Sequence, residues 1–577
     1  MSRHNQIQYL LFSFLLALLA NSGIFSQEPK AGTPPDSVFD VVIAGGKIVD
    51  GTGCAWFYGD IGIRADRITA IGDLQQRPAK QRIDAGGLIV APGFIDMLGQ
   101  SEFHILVDSR AASKVLQGIT TEITGEGVSI APVNERMVLE GKPTWDHFRL
   151  LQDFRTLAGY FTRIETRSPT AINIGMMIGI GGVRDYVLGR ENKPAGPKEL
   201  EQMKRLVAQA MEEGALGLSS SLQYVPDRFA TPEEIIELAR VARQYGGFYL
   251  THLRSESGKI YEAMEEAFLV AERARIPTEI WHLKTAYKAN WGKMPEVLRR
   301  LEEARQRGLD VSANQYPYTR ASNGLDSCLP LWAREGSSAA MVSRLKDPVL
   351  RDRIRKEMED PDAAGWENQW YGSGGAEGVM VSSVLHPELR SYEGKTMKEI
   401  GARMNKDPRD ALMDLVIADQ GHTDCIISIM TEEDVRTALK HPLVSIDTDS
   451  AARAEDGPLS QSKSHPRAWG TFPRILGRYV REEKLFSLEE AVRKMTSRPA
   501  ARAGLHDRGI LRPGMAADIT VFDPIAIRDL ATFEDPNHYS IGVEYVLVNG
   551  KIVVSQGRIT RERPGHPLRG PGFRLRK

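Results

Sequence analysis

Between Phe94 and Asp449, short apolar and often β-branched runs recur along the chain, and helical stretches separate most of them. The runs are Phe94–Asp96, Thr121–Thr124, Ala171–Ile180, Leu216–Leu222, Phe248–His252, Glu279–His282, Asp310–Tyr316 and Val444–Asp449. In 197–213, Met203, Leu206, Val207, Ala210 and Met211 fall at i, i+3, i+4, i+7 and i+8, one apolar face for packing on a sheet. The segment 231–245 opens TPEE, a Thr cap followed by Pro at the first helical position and acids in the first turn. Eight alternating strand and helix units predict an α/β fold, a (β/α)8 barrel over 91–500.

The period changes at both ends. Residues 39–90 and 501–565 alternate short Val/Ile-rich runs with Gly-containing turns, including an Asn-Gly hairpin signal in VNGK. Two all-β pieces flanking one α/β stretch predict a small discontinuous antiparallel β-sandwich domain built from both termini, with 566–577 as a tail. One connection in the barrel is far too long. The stretch 323–441 separates the last two strands and carries helical patterns at 339–357 and 396–419 and a Gly-rich piece at 371–378. Insertions at a barrel rim act as lids or specificity elements, and this one is expected to be a lid.

At the start, Arg3 and His4 precede a 12-residue apolar run, Tyr9–Ala20, followed by small residues. That is the layout of a secretory signal peptide, 1–26, and the run is short for a membrane span. Residues 27–38, rich in Pro and Gly, read as a disordered lead-in. The expectation is an exported protein, periplasmic or extracellular, with no stable membrane span once the signal is cleaved. The 577 residues carry 74 Lys+Arg against 75 Asp+Glu, and no long single-sign run points to nucleic acid as a partner. Three scattered cysteines exclude a disulfide framework and a CxxC metal site.

The chemistry gathers at strand ends. His252 and His282 each close an apolar run, with one helix of about 15 residues between them, Tyr261–Arg275. Such a strand–helix–strand unit makes parallel neighbours, so both imidazoles emerge at the same rim and can share a metal ion. Asp449 ends the eighth strand and faces them across the mouth, as a ligand, a proton carrier or simply a helix cap. Asp447 shares its face one layer deeper. Glu126 lies between two glycines past the second strand, free to turn inward as a third ligand or to sit in a solvated turn. Lys284, Tyr316, Ser322 and Arg467 supply cationic and hydroxyl donors that suit a substrate carboxylate, or ordinary surface pairing.

The stretches APGFIDM, GITTEITGEG, AMEEGALGLSSSLQYVPDRFAT, THLRSES, EIWHLK, NQYPYT, HPRAWGTFPRILGRYVREE and KMTSRPAARAGLHDRGILRPGMAADITVFDP together resemble the amidohydrolase superfamily, and within it the N-acyl-D-amino-acid deacylases, or D-aminoacylases. The likeness runs from about Phe39 to near the C-terminus. It implies zinc at the barrel mouth generating hydroxide, with His252 and His282 as its imidazoles, Asp449 as acid/base, and Lys284, Tyr316, Ser322 and Arg467 holding the substrate carboxylate. The substrate implied is an N-acyl amino acid or a related small molecule.

Three motifs depart from that family. Its Asp-x-His-x-His is here Asp96-Met97-Leu98-Gly99-Gln100, and its strand-three GHG is Gly179-Ile180-Gly181. Its GNCG, whose Cys binds metal, is here Gly125-Glu126-Gly127. With one residue deleted Glu126 takes the cysteine's place, so the resemblance implies one zinc per chain, on Glu126, His252 and His282. The alternatives are a non-catalytic ligand-binding descendant, or a cyclic-amide hydrolase or dipeptidase.

Overall fold

A computed structural model describes residues 38–361 and 366–575. The signal peptide and all but the last residue of the lead-in lie outside the described residues.

Each of the eight expected runs forms a strand. They are Phe94–Asp96, Ile119–Thr124, Asn173–Gly179, Gly217–Ser221, Phe248–His252, Thr278–Ile280, Val311–Gln315 and Val444–Ile446, joined in sequential order in one parallel sheet. The fifth and sixth pair in register, Tyr249 with Thr278 and Thr251 with Ile280, so residues 252 and 282 leave the sheet at one end. The first and eighth strands close the barrel through a parallel bridge between Gly99 and Ser450. Below that bridge the closure is polar. Lys114 Nζ, wholly buried, contacts Asp96 Oδ2 at 2.7 Å, Thr448 Oγ1 at 2.8 Å and Glu122 Oε2 at 3.1 Å. Thr448 donates from its hydroxyl and its amide to the two oxygens of Asp96. This seam fixes the strand ends that carry Gln100 and Asp449. Gly99 belongs to it, because a Cβ there would stand 1.8 Å from Glu122 Cδ.

The barrel interior is packed. Leu98 lies among Ile123, Met177, Leu250 and Trp281, an apolar setting with no place for a metal-binding side chain. Outside, the helix Pro197–Glu213 buries Met203, Val207, Ala210 and Met211, with Leu206 at the margin. Helix Pro232–Gln244 starts where Thr231 accepts from the Glu234 amide, as TPEE predicts.

The ends of the chain meet in a nine-stranded sheet, where Ile519–Phe522 pairs with Ile89–Pro92. Ile61, Ile63 and Val90 from the first part pack with Ile519, Val521 and Leu547 from the second. The sheet is mixed rather than purely antiparallel, since Phe39–Ile48 runs parallel to Ala79–Asp84 and to Ile89–Pro92. The Asn-Gly turn forms as expected, Asn549 at φ +48° and Gly550 at φ +76°, between Val543–Val548 and Lys551–Ser555. Past the second β part the chain returns to the barrel: Pro567–Leu568 pairs with Ile174 and Gly175 of the third strand.

The long connection holds a feature that the helical patterning did not reveal, a three-stranded antiparallel sheet with Arg320–Gly324 and Val379–Ser383 on either side of Asp424–Ser428. Both expected helices in it are interrupted. Asp347 ends Ser338–Lys346 and caps Pro348–Met358, accepting from the amides of Val349 and Leu350. Asn405, left-handed at φ +51°, ends Met397–Met404 before Pro408–Ala418. Proline lacks the amide a continuing helix needs and disfavours helical geometry in the residue before it.

Candidate metal centre and amide-hydrolysing site

The C-terminal rim of the barrel opens on a cavity of about 470 Å³ walled by Gln100, Glu126, His252, His282, Asp449 and Arg467 on the barrel side. Glu126 reaches it because Gly125 and Gly127 both take positive φ, +97° and +60°. A Cβ on Gly127 would stand 2.5 Å from the Ser221 Cβ, so the turn also needs the closeness only glycine allows.

Three ligand atoms converge on the cavity floor. Glu126 Oε1 lies 3.2 Å from His252 Nδ1 and 3.3 Å from His282 Nε2, and the rings are 4.4 Å apart between centroids. Ligands about 2.0–2.1 Å from a tetrahedral zinc stand about 3.3 Å from one another; the two carboxylate–imidazole distances match that, and all three donor atoms lie within 4.8 Å of one another, so the donor set suits that ion. Burial works against the Glu126 carboxylate, but the two imidazoles outweigh it and hold the group well below the usual carboxylate range. At His282, burial and Lys284 pull the imidazole down; Asp449, Glu256 and Glu126 overcome both and push it up to about 10. His282 itself is held at φ +36°, its amide donating to Asn314 Oδ1 at 2.6 Å. A β-region histidine would leave its ring elsewhere, so this strain is part of how the site is set.

Asp449, at φ +44°, faces the triad. Its Oδ1 accepts from Gln100 Nε2 at 3.1 Å, and its Oδ2 lies 2.7 Å from Arg467 Nη1 in an ion contact. Burial raises its carboxyl above the ordinary range despite Arg467 and His282. Asp447 is buried beneath with neither oxygen hydrogen-bonded, and burial with the nearby Asp449 charge pushes its carboxyl well above the usual range.

The expected carboxylate binders are placed unequally. Ser322 and Lys284 line the cavity, but the Lys284 ammonium already donates to Glu256 Oε1 at 2.8 Å and to the His282 carbonyl at 2.9 Å. Tyr316 stands behind the wall, fully buried, with Arg467 4.6 Å over its ring and its hydroxyl without a hydrogen-bond partner. Arg467 Nε is likewise without one. Sequence reasoning passed over Glu256, four residues after His252, whose Oε1 lies 3.1 Å from His282 Nδ1. Burial favours its neutral form, yet Lys284 and the two imidazoles hold it ionised, below the usual range. It also passed over Gln223, whose Oε1 lies 2.9 Å from His252 Nε2. Glu256 was within reach, as the one carboxylate in THLRSES; nothing local marks Gln223.

A parallel barrel with a Glu/His/His cluster at its C-terminal rim and an aspartate just past the eighth strand is an arrangement suited to metal-assisted hydrolysis. The amidohydrolase family model matches residues 407–554. The chain is 36% identical over 534 residues to the N-acyl-D-glutamate deacylase of Alcaligenes xylosoxydans xylosoxydans, covering 92% of this chain and 96% of that protein. It is 34% identical to the D-aminoacylase of the same organism, over 92% and 97%. Among solved structures, the N-acyl-D-glutamate deacylase of Bordetella bronchiseptica, complexed with zinc and a phosphonate mimic of the tetrahedral intermediate, superposes at a TM-score of 0.77 with 30% identity, covering 92% of this chain and all of that one. The chain belongs to the N-acyl-D-amino-acid deacylase family.

Proposed function

We propose that this enzyme hydrolyses the amide bond of N-acyl-D-amino acids using one zinc ion held by Glu126, His252 and His282, with Asp449 as acid and base. The observation that carries it is the convergence of Glu126 Oε1, His252 Nδ1 and His282 Nε2 opposite Asp449 in one cavity. Zinc bound there supplies a Lewis acid that polarises the amide carbonyl and acidifies water towards a pKa of about 7.

The chain's own groups do the rest. Asp449 takes a proton from the attacking water on Oδ1 and returns it to the amide nitrogen as the C–N bond breaks, giving a carboxylate and a free amine. A buried carboxyl raised above its ordinary range is better matched to that exchange than a solvated one. Arg467 holds Oδ2, so the carboxylate cannot rotate away. The unpartnered Arg467 Nε and the Ser322 hydroxyl, with Lys284 beside them, are the donors for the substrate carboxylate. The insertion forms the far wall and acts as the lid.

Zinc per chain in the purified protein, measured with amine release from N-acetyl-D- and N-acetyl-L-amino acids, tests the reading. About one zinc with D-selective release supports it; no zinc and no release would refute it. Export rests on the first 26 residues alone, and the processed N-terminus and location of the expressed full chain test it. Among the described residues no helix is long and apolar enough to cross a membrane.

A further inference from the structure

His252 presents Nδ1 to the candidate metal position and Nε2 to Gln223. A neutral imidazole offers a lone pair from one nitrogen only, so something must keep the proton on Nε2 for Nδ1 to bind a metal. The Gln223 carbonyl does this, because Oε1 only accepts. An amide can flip, however, and a flipped Gln223 would offer NH₂ to His252 and favour the wrong tautomer.

The residue that forbids the flip comes from the insertion. Glu367 Oε2 accepts from Gln223 Nε2. A carboxylate cannot donate to an amide oxygen, so Gln223 must turn its NH₂ outwards and its carbonyl towards His252. Glu367 is in turn fixed by its other oxygen. Oε1 accepts from the Glu256 amide at 2.9 Å, the Ser257 amide at 3.1 Å, the Ser257 hydroxyl at 2.8 Å and the Ser255 hydroxyl. These donors form an anion-holding nest directly after the strand that ends in His252. Burial pushes the Glu367 carboxyl up, and the seryl hydrogen bonds oppose it; every contact made by its two oxygens suits the ionised form.

We infer that Glu367 is a positioning residue for the metal centre: seated in the Ser255–Ser257 nest, it orients Gln223 and thereby holds His252 in the tautomer that leaves Nδ1 free for the ion. The insertion thus completes the metal site as well as covering it. A ligand whose other nitrogen is held in this way typically loses 10- to 100-fold in metal affinity when the holding group is removed. A glutamine at 367 can accept or donate, so it keeps the volume and loses the instruction.

This rests on the Glu126/His252/His282 metal reading, and the test separates the two. Zinc affinity of the full-length protein is measured by competition with a chelator for the wild type, Glu367→Gln, Gln223→Leu and the double variant, alongside the ¹H–¹⁵N resonance of the His252 Nε2–H in ¹⁵N-histidine-labelled, zinc-loaded protein. The expected result is wild-type binding, about a 10- to 100-fold loss in each single variant, and no further loss in the double, since both act through one nitrogen. In the zinc-loaded wild type the His252 Nε2–H resonance should be that of a hydrogen-bonded proton slow to exchange, and it should shift and exchange faster in Glu367→Gln. Should Glu367→Gln fail to fold, Ser257→Ala, which removes one donor and keeps the carboxylate, should weaken zinc binding by a smaller factor. Wild-type binding with unchanged affinity in the folded variants, or fully additive losses, overturns the inference alone. A wild type that binds no zinc overturns the metal reading and this inference with it.

Discussion

Gln100 Nε2 donates to Glu126 Oε2 at 2.9 Å and to Asp449 Oδ1 at 3.1 Å, so a single neutral amide ties the candidate metal ligand to the proposed acid/base. The two carboxylates are held side by side by this shared donor. The spacing of the two carboxylates is thereby set by an uncharged side chain.

Gln100→Leu removes both hydrogen bonds. Each joins a neutral donor to an ionised acceptor, worth about 1.5–3 kcal/mol, so turnover should fall roughly 10- to 100-fold. Steady-state kinetics with zinc analysis on the same sample would check it: zinc content should stay at the wild-type level, because Glu126 Oε1 keeps both imidazoles.

Asp449→Asn keeps the shape and the contact with Gln100 but cannot carry the proton. Turnover should drop by about 10²–10⁴, the usual span for a general acid/base, with zinc retained. Full activity in this variant would remove Asp449 from the mechanism.

His282→Ala deletes a proposed ligand and leaves Glu256 and Lys284 facing a void. Zinc per chain should fall from about one towards zero, and added zinc should restore little activity. Elemental analysis after dialysis reads the first outcome and a zinc titration of activity the second.

Lys114→Met tests the barrel seam. The ammonium lies among Asp96 and Glu122 with no solvent access, and its loss leaves buried carboxylates uncompensated. Removing one partner of such a cluster costs about 3–5 kcal/mol, which should appear as a lower denaturant midpoint.

Glu102 offers a pH test. Burial, opposed by its bond from the Thr124 hydroxyl and reinforced by Glu122 and Glu126, raises its carboxyl from 4.5 to about 7. Below pH 4.5 the group is neutral in folded and unfolded chains alike. Between pH 4.5 and about 7 the unfolded chain loses this proton while the folded one keeps it, so stability falls across that window and stays lower above it. Glu102→Gln should abolish this part of the slope and stabilise the protein above pH 7 by up to about 3 kcal/mol, with little effect at pH 4; unfolding midpoints at the two pH values would show it.

Much of the site was readable in one dimension. His252, His282 and Asp449 each end a strand-like run, and the βαβ spacing around the two histidines already placed them on one rim. The prolines at 348 and 408 were visible too, yet the helical patterns predicted at 339–357 and 396–419 run straight through them, and the structure breaks both. Glu256 shows where such reading stops short: its type and position were visible, but that it would occupy the Lys284 ammonium was not.

What the sequence by itself determined here is whatever nearest neighbours encode: the eight barrel strands, the amphipathic helices, the capped turns and the residues at strand ends, because period and capping depend on a few adjacent side chains. The tertiary structure decided the partnerships. Gln100 meets Asp449 across 349 positions, Gln223 meets Glu367 across 144, and Lys114 meets Thr448 across 334. Such contacts follow from which strand ends the closed barrel brings together and where the insertion lands. Hydrogen bonds between buried groups depend on separations of a few tenths of an ångström, which no local pattern of polar and apolar residues specifies.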